Sequence, residues 1–390
     1  MNPIQTIPRE GETRRILEGL PDWPVTAVLG SRQCGKTWLT RPLASVPENY
    51  FDLHNFVDRA RLEESNFRVL DGLEGVIVID EAQEMPDLFM KLRVLADRTD
   101  SDVRFVVTGS ASPALYRHAA ESLAGRVRLL PLSGFSLLET GQAQWERLWV
   151  RGGYPLAFLR QTENASLEWR QQYISQFLGK DLPALAETKL SLEQLRRFFM
   201  LLAHHHGTHW NHSEVAATLG VSYKTVQRHV DIFKGAFIVR ELPPWFANLG
   251  KRLRKAPKLY LRDSGLLHAL LSIKNRSDLF YSPKMGASWE GFCLEQLVSV
   301  LHLREEELFC WSVSSGAEVD LVIARDAPIG IEMKAADAPR CTASMRSAKA
   351  TLGLKKLFVL YPGDKDYPLD DDIEAVGIAN LEKLVAVMTE

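Results

Sequence analysis

The amino-terminal part of the chain alternates short apolar runs with segments that have the spacing of amphipathic helices. Apolar residues fill Val25–Leu29 and Val76–Ile79, and a third run follows Asp102. Short runs rich in β-branched residues are typical of strands buried on both faces, as in parallel sheets. Because helical segments such as 11–20 and 58–70 lie between these runs, the pattern predicts an α/β fold around a parallel sheet.

A glycine-rich segment follows the first apolar run. It has the pattern G-x-x-x-x-G-K-[ST], with Gly30, Gly35, Lys36 and Thr37 in the fixed positions. Glycines let the backbone approach a polyphosphate closely, so that successive N–H groups point at the anion. Lys36 would neutralise the β- and γ-phosphates, and the Thr37 hydroxyl would bind Mg²⁺. We therefore predict a nucleoside triphosphate site, to which this phosphate loop adds contacts from Ser31, Gln33, Cys34 and Trp38.

Carboxylates and hydroxyls stand at the ends of the next two apolar runs. Asp80 and Glu81 end the second run, and Thr108 and Ser110 end the third. Ligands of open α/β sheets bind at the carboxyl edge of the strands, where these side chains would meet the phosphate loop. We expect Asp80 to hold Mg²⁺ through its water shell and Glu81 to polarise the attacking water. A hydroxyl of Thr108 or Ser110 would sense the γ-phosphate, and the sequence does not separate the two.

The order of these motifs resembles the AAA+ ATPases. The phosphate loop and the acidic pair are followed by Thr108-Gly-Ser110, Leu123-Ala-Gly-Arg126 and Pro131-Leu-Ser-Gly-Phe135. More narrowly, the chain resembles bacterial and archaeal ATPases with an uncharacterised, DUF4143-like carboxy-terminal region. The resemblance implies ATP as the nucleotide and Arg126 as an arginine finger that reaches a neighbour's nucleotide, with Arg128 as the alternative. A finger in trans implies a homo-oligomer such as a hexameric ring.

Residues 134–190 change to helical periodicity. The step Gly152-Gly-Tyr-Pro155 interrupts the helices and resembles a motif of the same family. The resemblance implies that this part is the small helical lid after an AAA+ core. Arg151 is a candidate lid contact to the γ-phosphate.

A second local pattern predicts a helix-turn-helix. It consists of a helix from Ser213, a tight turn at Gly220 and a second helix capped by Ser222, followed by wing strands at 236–242 and 258–261. The second helix offers residues that suit phosphates and base edges, namely Tyr223, Lys224, Gln227 and Arg228. Basic residues without an intervening acid follow in and beside the wing: Lys251, Arg252, Arg254, Lys255, Lys258 and Arg262. This surface predicts DNA as a partner, and a helix-turn-helix that serves only for packing is the alternative.

Histidines are concentrated before the helix-turn-helix. Gly207 interrupts their helical spacing, and neither Cys nor a carboxylate completes a tetrahedral ligand set. We therefore expect a solvated loop rather than a metal site at His204, His205, His206, His209 and His212.

Carboxylates cluster towards the end of the chain. Glu290 lies in a predicted helix, and a predicted hairpin places Asp320 opposite Glu332 and Lys334. The three carboxylates are candidate ligands of a divalent metal, and the lysine beside them would position the attacking water. The set resembles the PD-(D/E)xK nucleases, which implies a restriction-endonuclease-like α/β domain. Cleavage of DNA and a role as a scaffold both stay open, because a fold does not fix a function.

Composition limits the partners and the compartment. The net charge is −2, so any nucleic-acid surface has to be local. Four cysteines without metal or disulfide spacing suit a reducing compartment. No apolar run approaches the ~20 residues that span a bilayer, and no signal pattern is visible, so we expect a cytoplasmic protein without membrane contact. At 390 residues several domains are expected, namely the ATPase core 1–133, the lid 134–190, the winged helix 191–262 and the nuclease-like domain 263–390.

These patterns favour an oligomeric ATP-hydrolysing motor that acts on duplex or branched DNA, with ATP and Mg²⁺ as cofactors. Two alternatives stay open. The chain would be an ATP-regulated, metal-dependent nuclease, or a regulatory scaffold that is switched by the nucleotide.

Overall fold

The chain folds into two compact units. The computed structural model describes residues 6–98, 102–110, 123–185, 190–245, 256–313 and 316–389. The first unit comprises Met1–Gly134 and Gly235–Phe237, and the second comprises Phe135–Lys234 and Ile238–Glu390. The phosphate loop therefore belongs to the first unit, and the carboxylates near the end of the chain belong to the second.

A five-stranded parallel sheet forms the centre of the first unit. Its strands are β1 Val25–Gly30, β2 Tyr50–Asp52, β3 Val76–Asp80, β4 Arg104–Ser110 and β5 Val127–Pro131. They lie in the order β2-β3-β4-β1-β5, and each neighbouring pair is parallel. The helices of this unit are α1 Glu10–Gly19, α2 Lys36–Thr40, α3 Phe56–Glu64 and α4 Leu88–Ala96. This order places β4 between the strand of the phosphate loop and the strand of the acidic pair.

The apolar runs form central strands because both faces of the sheet are covered. Successive residues of a strand point to opposite faces. Nevertheless Ile77, Val78 and Ile79 are all buried, as are Phe105 and Val106 in the next strand. The prediction of a parallel sheet from these runs is confirmed.

The predicted helix over 58–70 is wrong in its second half. α3 ends at Glu64, and Asn66 and Phe67 take left-handed backbone angles, with φ of 48° and 60°. A 3-10 turn over Arg68–Gly72 follows. The two left-handed residues interrupt the helix, because an α-helix requires negative φ throughout.

Helices dominate the first part of the second unit. Their bounds are α5 Leu137–Thr140, α6 Trp145–Arg151, α7 Pro155–Phe158, α8 Glu163–Gln176, α9 Leu182–Leu185, α10 Leu192–His204, α11 His212–Leu219 and α12 Tyr223–Gly235. Gly152, between α6 and α7, has φ of 78°, and a Cβ there would lie 2.2 Å from a carboxylate oxygen of Asp263. The other oxygen of Asp263 accepts a hydrogen bond from the N–H of Gly153 at 2.7 Å. A glycine at position 152 is therefore needed for this close approach.

A turn and a small sheet accompany α11 and α12. Gly220 joins the two helices with φ of 67°, a left-handed angle that glycine adopts readily. The sheet is antiparallel, has the order β6-β8-β7 and consists of β6 Thr208–His209, β7 Val239–Leu242 and β8 Lys258–Leu261. The predicted helices, turn and strands of this region are thus present.

A mixed six-stranded sheet forms the last part of the second unit. In the order β13-β14-β12-β11-β10-β9, it contains β9 Leu308–Ser312, β10 Glu318–Ile323, β11 Ile329–Met333, β12 Lys356–Tyr361, β13 Tyr367–Asp370 and β14 Ile373–Gly377. Its helices and those before it are α13 Ser264–Leu270, α14 Arg276–Phe280, α15 Met285–Leu301, α16 Ala343–Leu352 and α17 Leu381–Thr389. β10 and β11 form the predicted hairpin, with Leu321 opposite Ile331. Within the described ranges, no helix has the length and apolarity that crossing a membrane requires.

Candidate active site

The strand order of the first unit brings the predicted nucleotide residues to one edge of the sheet. Gly30, Asp80 and Ser110 are the last residues of β1, β3 and β4. In a parallel sheet these carboxyl ends lie side by side, and Gly30 is directly paired with Ser110. The phosphate loop and the acidic pair therefore border the same edge, with β4 between them.

The phosphate loop depends on its glycines. A Cβ on Gly30 would lie 2.3 Å from the carbonyl oxygen of Leu132 and 2.8 Å from the sulfur of Cys34, so only glycine fits there. Gly35 has φ of 102°, and Gln33 is also left-handed at 62°. These angles turn the loop back into α2. Cys34 is buried inside the loop, whereas Thr37 and Trp38 are exposed on the first turn of α2.

Lys36 is a buried cation held by neutral oxygens. Its Nζ donates hydrogen bonds to the carbonyl oxygens of Gly30 at 3.0 Å and Ser31 at 2.9 Å. In the part of the chain that the structure describes, no carboxylate forms an ion pair with it. A buried ammonium without an anionic partner is unfavourable by itself. The site therefore fits a polyphosphate, whose oxygens would supply the missing negative charge.

Asp80 is oriented by two hydroxyls. The Tyr50 hydroxyl donates to one carboxylate oxygen at 3.0 Å, and the Thr108 hydroxyl donates to the other. Burial and the neighbouring Asp80 raise the pKa of Tyr50, so its hydroxyl keeps its proton near neutral pH. The Thr108 hydroxyl also accepts a hydrogen bond from the backbone N–H of Glu81 at 3.3 Å. Of the two predicted hydroxyls, Thr108 is thus the one seen in contact with both acids, whereas Ser110 is described by its backbone only.

Glu81 has an unusual backbone. Its φ of 58° lies in the left-handed region, which non-glycine residues rarely adopt. Such strain costs about 1–3 kcal/mol and is concentrated at functional sites. The side-chain amide of Gln83 donates a hydrogen bond to the Glu81 carboxylate. Because of this backbone conformation, the Glu81 carboxylate points in a direction that differs from the one it would take in a regular strand.

Three residues of this site were not predicted. Tyr50 and Gln83 hold the two acids, and Arg9 holds the phosphate loop. One guanidinium nitrogen of Arg9 donates to the carbonyl oxygen of Cys34 at 3.1 Å, and the other donates to those of Ser133 and Gly134 at 3.2 and 3.1 Å. A strand that ends in Tyr-Phe-Asp next to an acidic strand is a usable signal for Tyr50. The sequence carries no comparable signal for Arg9 or Gln83.

Arg126 lies at the opposite edge of the sheet. It directly precedes β5, and its carbonyl oxygen accepts the N–H of Val25, the first residue of β1. The phosphate loop begins at the other end of β1, about 16 Å further along the strand. The Arg126 guanidinium is partly exposed and forms an ion pair with Asp97. Arg128, the alternative, is engaged inside the unit, where it donates to the carbonyl oxygen of Arg15 at 2.9 Å.

Arg151 is also committed to local contacts. Its guanidinium is buried, pairs with Glu163 at 2.6 Å and donates to the carbonyl oxygens of Phe158 and Arg160. These contacts fix the chain between α6 and α8. The structure therefore gives the predicted lid arginine a structural role within the second unit.

The predicted DNA-binding residues fall into two groups. Tyr223, Lys224, Gln227 and Arg228 are all exposed on α12. The basic residues Lys251, Arg252, Arg254 and Lys255 lie outside the described residues.

Two members of the basic run are not part of a surface. Lys258 of β8 is buried and pairs with Glu290. The side chain of Arg262, which directly follows β8, is only 9% exposed and pairs with Glu295. The expectation that they extend a basic wing is therefore wrong.

The histidines before α11 are not a uniformly solvated loop, as the sequence analysis expected. His206 is buried: its Nδ1 accepts the N–H of Leu261 at 3.0 Å, and its Nε2 lies 3.1 Å from the carbonyl oxygen of Ala287. Burial lowers its pKa to about 3. The ring is neutral and links α10 to β8 and α15. No metal-binding group of three or more His, Cys, Asp or Glu side chains occurs among the described residues.

Glu290, Asp320 and Glu332 converge in the second unit, and we call them the carboxylate cluster. Two lysines form ion pairs with it. Lys258 lies 2.8 Å from Glu290 and 3.4 Å from Asp320, and Lys334 lies 2.6 Å from Glu332 and 3.8 Å from Asp320. Lys258 had been assigned to DNA, so its place in the cluster is a correction.

The electrostatics of the cluster show a crowded buried site. Burial, and then the charge of Asp320, raises the pKa of Glu290 and of Glu332. Burial acts to lower the pKa of Lys258, but Glu290 and Asp320 outweigh it and raise the pKa above its usual value. A divalent metal prefers carboxylate oxygens without a competing cation. Because the Lys258 ammonium lies between two of the three carboxylates, these residues do not fit the predicted metal.

Comparisons with known proteins agree with the division of the chain. Residues 22–141 match the AAA domain family, 142–277 match Domain of unknown function (DUF8612), and 285–381 match Domain of unknown function (DUF4143). One solved structure that is similar is the Walker-type ATPase PABY2304 of Pyrococcus abyssi. Its TM-score is 0.44 at 14% sequence identity, over 68% of this chain and 96% of that chain.

Two curated relatives are similar over almost the whole chain. One is an uncharacterized protein of Mycobacterium bovis and the other an uncharacterized protein of Mycobacterium tuberculosis. Each is 44% identical over 372 residues, which cover 95% of this chain and 83% of the relative. With its AAA domain and its phosphate loop, the chain belongs to the same family as these mycobacterial proteins and is an AAA-type ATPase with a DUF4143 carboxy-terminal domain.

Proposed function

We propose that this ATPase binds duplex or branched DNA and works on it as a homo-oligomer. The observation that carries the proposal is the division of α12 into two faces. Val226, Val230 and Phe233 are buried in the second unit. The opposite face exposes Tyr223, Lys224, Gln227 and Arg228. A helix that follows a tight turn and exposes polar and basic residues near its beginning suits the major groove.

The sequence between β7 and β8 is rich in basic residues, and this supports the proposal. β7 and β8 are antiparallel neighbours, so the end of β7 and the beginning of β8 lie at the same end of the small sheet. In the sequence this segment carries Lys251, Arg252, Arg254 and Lys255. Charged contacts to phosphates give most of the affinity for DNA, and contacts to base edges give the specificity.

ATP hydrolysis would use the edge formed by β1, β4 and β3. Lys36 would bind phosphate oxygens with its buried ammonium, and Glu81 would orient the attacking water. Asp80, held by Tyr50 and Thr108, would bind Mg²⁺ through its water shell. The bound nucleotide supplies the phosphoanhydride bond, and Mg²⁺ supplies charge that neutralises the phosphate oxygens.

The position of Arg126 supports an oligomer. Because it lies at the amino edge of its own sheet, it is remote from the phosphate loop that follows Gly30. Its guanidinium is partly exposed, and Asp97, with which it forms an ion pair, is itself half exposed. An arginine in this place can complete an ATP site only on a neighbouring subunit.

The nuclease alternative has no support in the carboxylate cluster. Metal-dependent cleavage needs a cation that polarises the phosphate and activates water. Lys258 lies between Glu290 and Asp320 instead. We therefore do not propose cleavage of DNA.

The salt dependence of DNA binding tests the proposal. We expect Lys224→Ala/Arg228→Ala to weaken binding of a labelled duplex and of a four-way junction. Each phosphate contact contributes about 0.9 to the slope of log affinity against log salt, so the double variant should lose about 1.8. The matched control is Arg160→Ala/Lys180→Ala, which removes the same charge from exposed positions of the same unit.

The two variants give distinguishable outcomes. A slope that falls only in the α12 variant supports the proposal. A slope that is unchanged in that variant, or that falls equally in the control, contradicts it. ATP turnover of both variants without DNA should equal that of the wild type, because neither changes the first unit.

A further inference from the structure

We infer that Lys258 supplies from within the chain the positive charge that the carboxylate cluster would otherwise take from a divalent metal. Lys258 and the carboxylate cluster thereby form a group of ion pairs inside the chain, which we call the clamp. The Nζ of Lys258 lies 2.8 Å from Glu290 Oε1 and 3.4 Å from Asp320 Oδ1. A metal shared by these two carboxylates would have to lie in the same place between them.

The strand that carries Lys258 provides a second hydrogen-bond donor to Glu290. Tyr260 lies two residues further along β8, so its side chain points to the same side of the strand. Its hydroxyl donates a hydrogen bond to the same oxygen, Glu290 Oε1. This carboxylate oxygen therefore accepts two donors from β8. Little of its capacity is left for a metal.

Both oxygens of Asp320 are engaged as well. Oδ1 faces Lys258, and Oδ2 accepts the backbone N–H of Met333 at 2.9 Å. Lys334 lies 3.8 Å from Oδ2 and 2.6 Å from Glu332. Each carboxylate of the cluster thus has an ammonium group beside it, Lys258 for Glu290 and Asp320 and Lys334 for Glu332.

The clamp joins elements that are far apart in the sequence. Lys258 and Tyr260 belong to the small sheet, Glu290 to α15 and Asp320 to β10. Asp320 and Lys258 are both almost completely buried. Breaking one partner of a buried ion pair leaves an uncompensated charge, which is strongly destabilising. The cluster therefore fastens the small sheet to the six-stranded sheet of the same unit.

Binding of Mn²⁺ to the nucleotide-free full-length chain tests this inference. We expect the wild type to show no Mn²⁺ site that depends on Asp320. Lys258→Ala should gain one, so that about one more Mn²⁺ binds per chain than in the wild type, because the carboxylates are then left for the metal. This site should disappear in Lys258→Ala/Asp320→Asn. Binding that is common to all variants belongs to other sites, such as the first unit, and does not enter the comparison.

Lys334→Ala is the matched control. It removes a lysine from the same cluster but leaves Lys258 between Glu290 and Asp320, so we expect no new Mn²⁺ site. A gain in this control equal to that of Lys258→Ala overturns the inference. So does a folded Lys258→Ala protein without any gain.

If Lys258→Ala does not fold, Mn²⁺ binding by the wild type and by Asp320→Asn tests the inference instead. One Mn²⁺ bound per wild-type chain and lost in Asp320→Asn, with Lys258 present, overturns the inference. The same measurement without an Asp320-dependent site supports it.

Discussion

Thr108 connects the two acids of the ATPase site. Its hydroxyl donates to Asp80 and accepts the backbone N–H of Glu81, and it lies on β4 between the strands of the loop and the acids. One hydroxyl thereby fixes the orientation of one carboxylate and the start of the strained turn that carries the other.

Removing this hydroxyl should slow ATP turnover. We expect Thr108→Val to lower kcat by about 10- to 100-fold, as for other residues that orient metal-binding groups, while ATP binding through Lys36 is kept. The measurement is steady-state ATP hydrolysis together with nucleotide affinity. A variant with wild-type kcat would contradict the role of Thr108.

Thr26 provides the matched control. It is also a fully buried threonine in a central strand, but its hydroxyl has no hydrogen-bond partner in the described structure. Thr26→Val removes a hydroxyl of the same kind from the same sheet. Its kcat should stay within about twofold of the wild type, because surface and packing changes without lost hydrogen bonds have small effects.

Among single residues, the sequence predicts those functional residues that a local motif marks. Asp80 and Glu81 were found because they end an apolar run, and Lys36 because of its loop. Tyr50 was missed, since its contact with Asp80 requires β2 to lie beside β3, which no local pattern specifies. Lys258 was assigned to DNA because its neighbours in the sequence are basic, whereas its partners Glu290 and Asp320 are distant in the sequence.

Strands and helices were predictable where one periodicity extends over the whole element. The runs that became β1, β3 and β4 are apolar throughout because both faces of the sheet are covered. α3 was predicted too long, since nothing in its apolar spacing reveals the two left-handed residues after Glu64. The histidines were predicted to be solvated because polar residues between elements usually are. The burial of His206 depends on α15, which follows much later in the sequence.

Two buried histidines should make the second unit sensitive to acid. His206 joins α10 to β8 and α15, and His268 of α13 joins the carbonyl oxygen of Val150 to the hydroxyl of Ser288. Burial lowers their pKa values to about 3 and about 4. Below pH 6.5 the unfolded state therefore binds more protons than the folded state, and stability falls as the pH falls.

We expect the free energy of unfolding to drop by about 2 kcal/mol for each histidine between pH 7 and pH 5. Urea unfolding of the second unit at the two pH values measures this loss. His268→Gln should show a smaller loss, even if it is less stable at both. His204→Gln, at an exposed position of α10, should show the same loss as the wild type. An equal loss in all three proteins would contradict the assignment.

At the scale of the whole molecule, the edges of the first sheet decide whether the chain can work alone. The phosphate loop and the acids lie at the carboxyl edge, and Arg126 lies at the amino edge. A subunit therefore presents a nucleotide site at one edge and an arginine at the other. This arrangement suits head-to-tail contacts, which close into rings when the rotation permits.

Mixing two inactive variants tests this arrangement. Lys36→Ala lacks a functional loop, and Arg126→Ala lacks the proposed finger and should lose about 10³-fold or more in turnover. If the finger acts in trans, a mixture should regain ATP hydrolysis, because an intact loop of one variant meets the intact arginine of the other. Arg59→Ala, at another partly exposed arginine of the first unit that also pairs with an acid, should be fully active alone. A mixture as inactive as its components would rule out action in trans.

The sequence anticipated the change of character near residue 134, where the first compact unit gives way to the second. It also suggested boundaries at 190 and 262, which both lie inside the second unit. These parts form one unit because buried contacts such as Lys258 with Glu290 join residues from different predicted parts. Composition and spacing do not show such pairings, since a lysine or a glutamate considered by itself is expected to be exposed at the surface.

Arg9 adds a mechanical aspect to the nucleotide site. Its rigid guanidinium ties the carbonyl oxygen of Cys34 in the phosphate loop to those of Ser133 and Gly134, where the chain leaves the first unit. As long as these bonds hold, the loop and this exit cannot move independently of each other. The two are then thermodynamically linked, and linkage is reciprocal. A force applied to the chain at residue 134 therefore changes the affinity of the phosphate loop for the nucleotide.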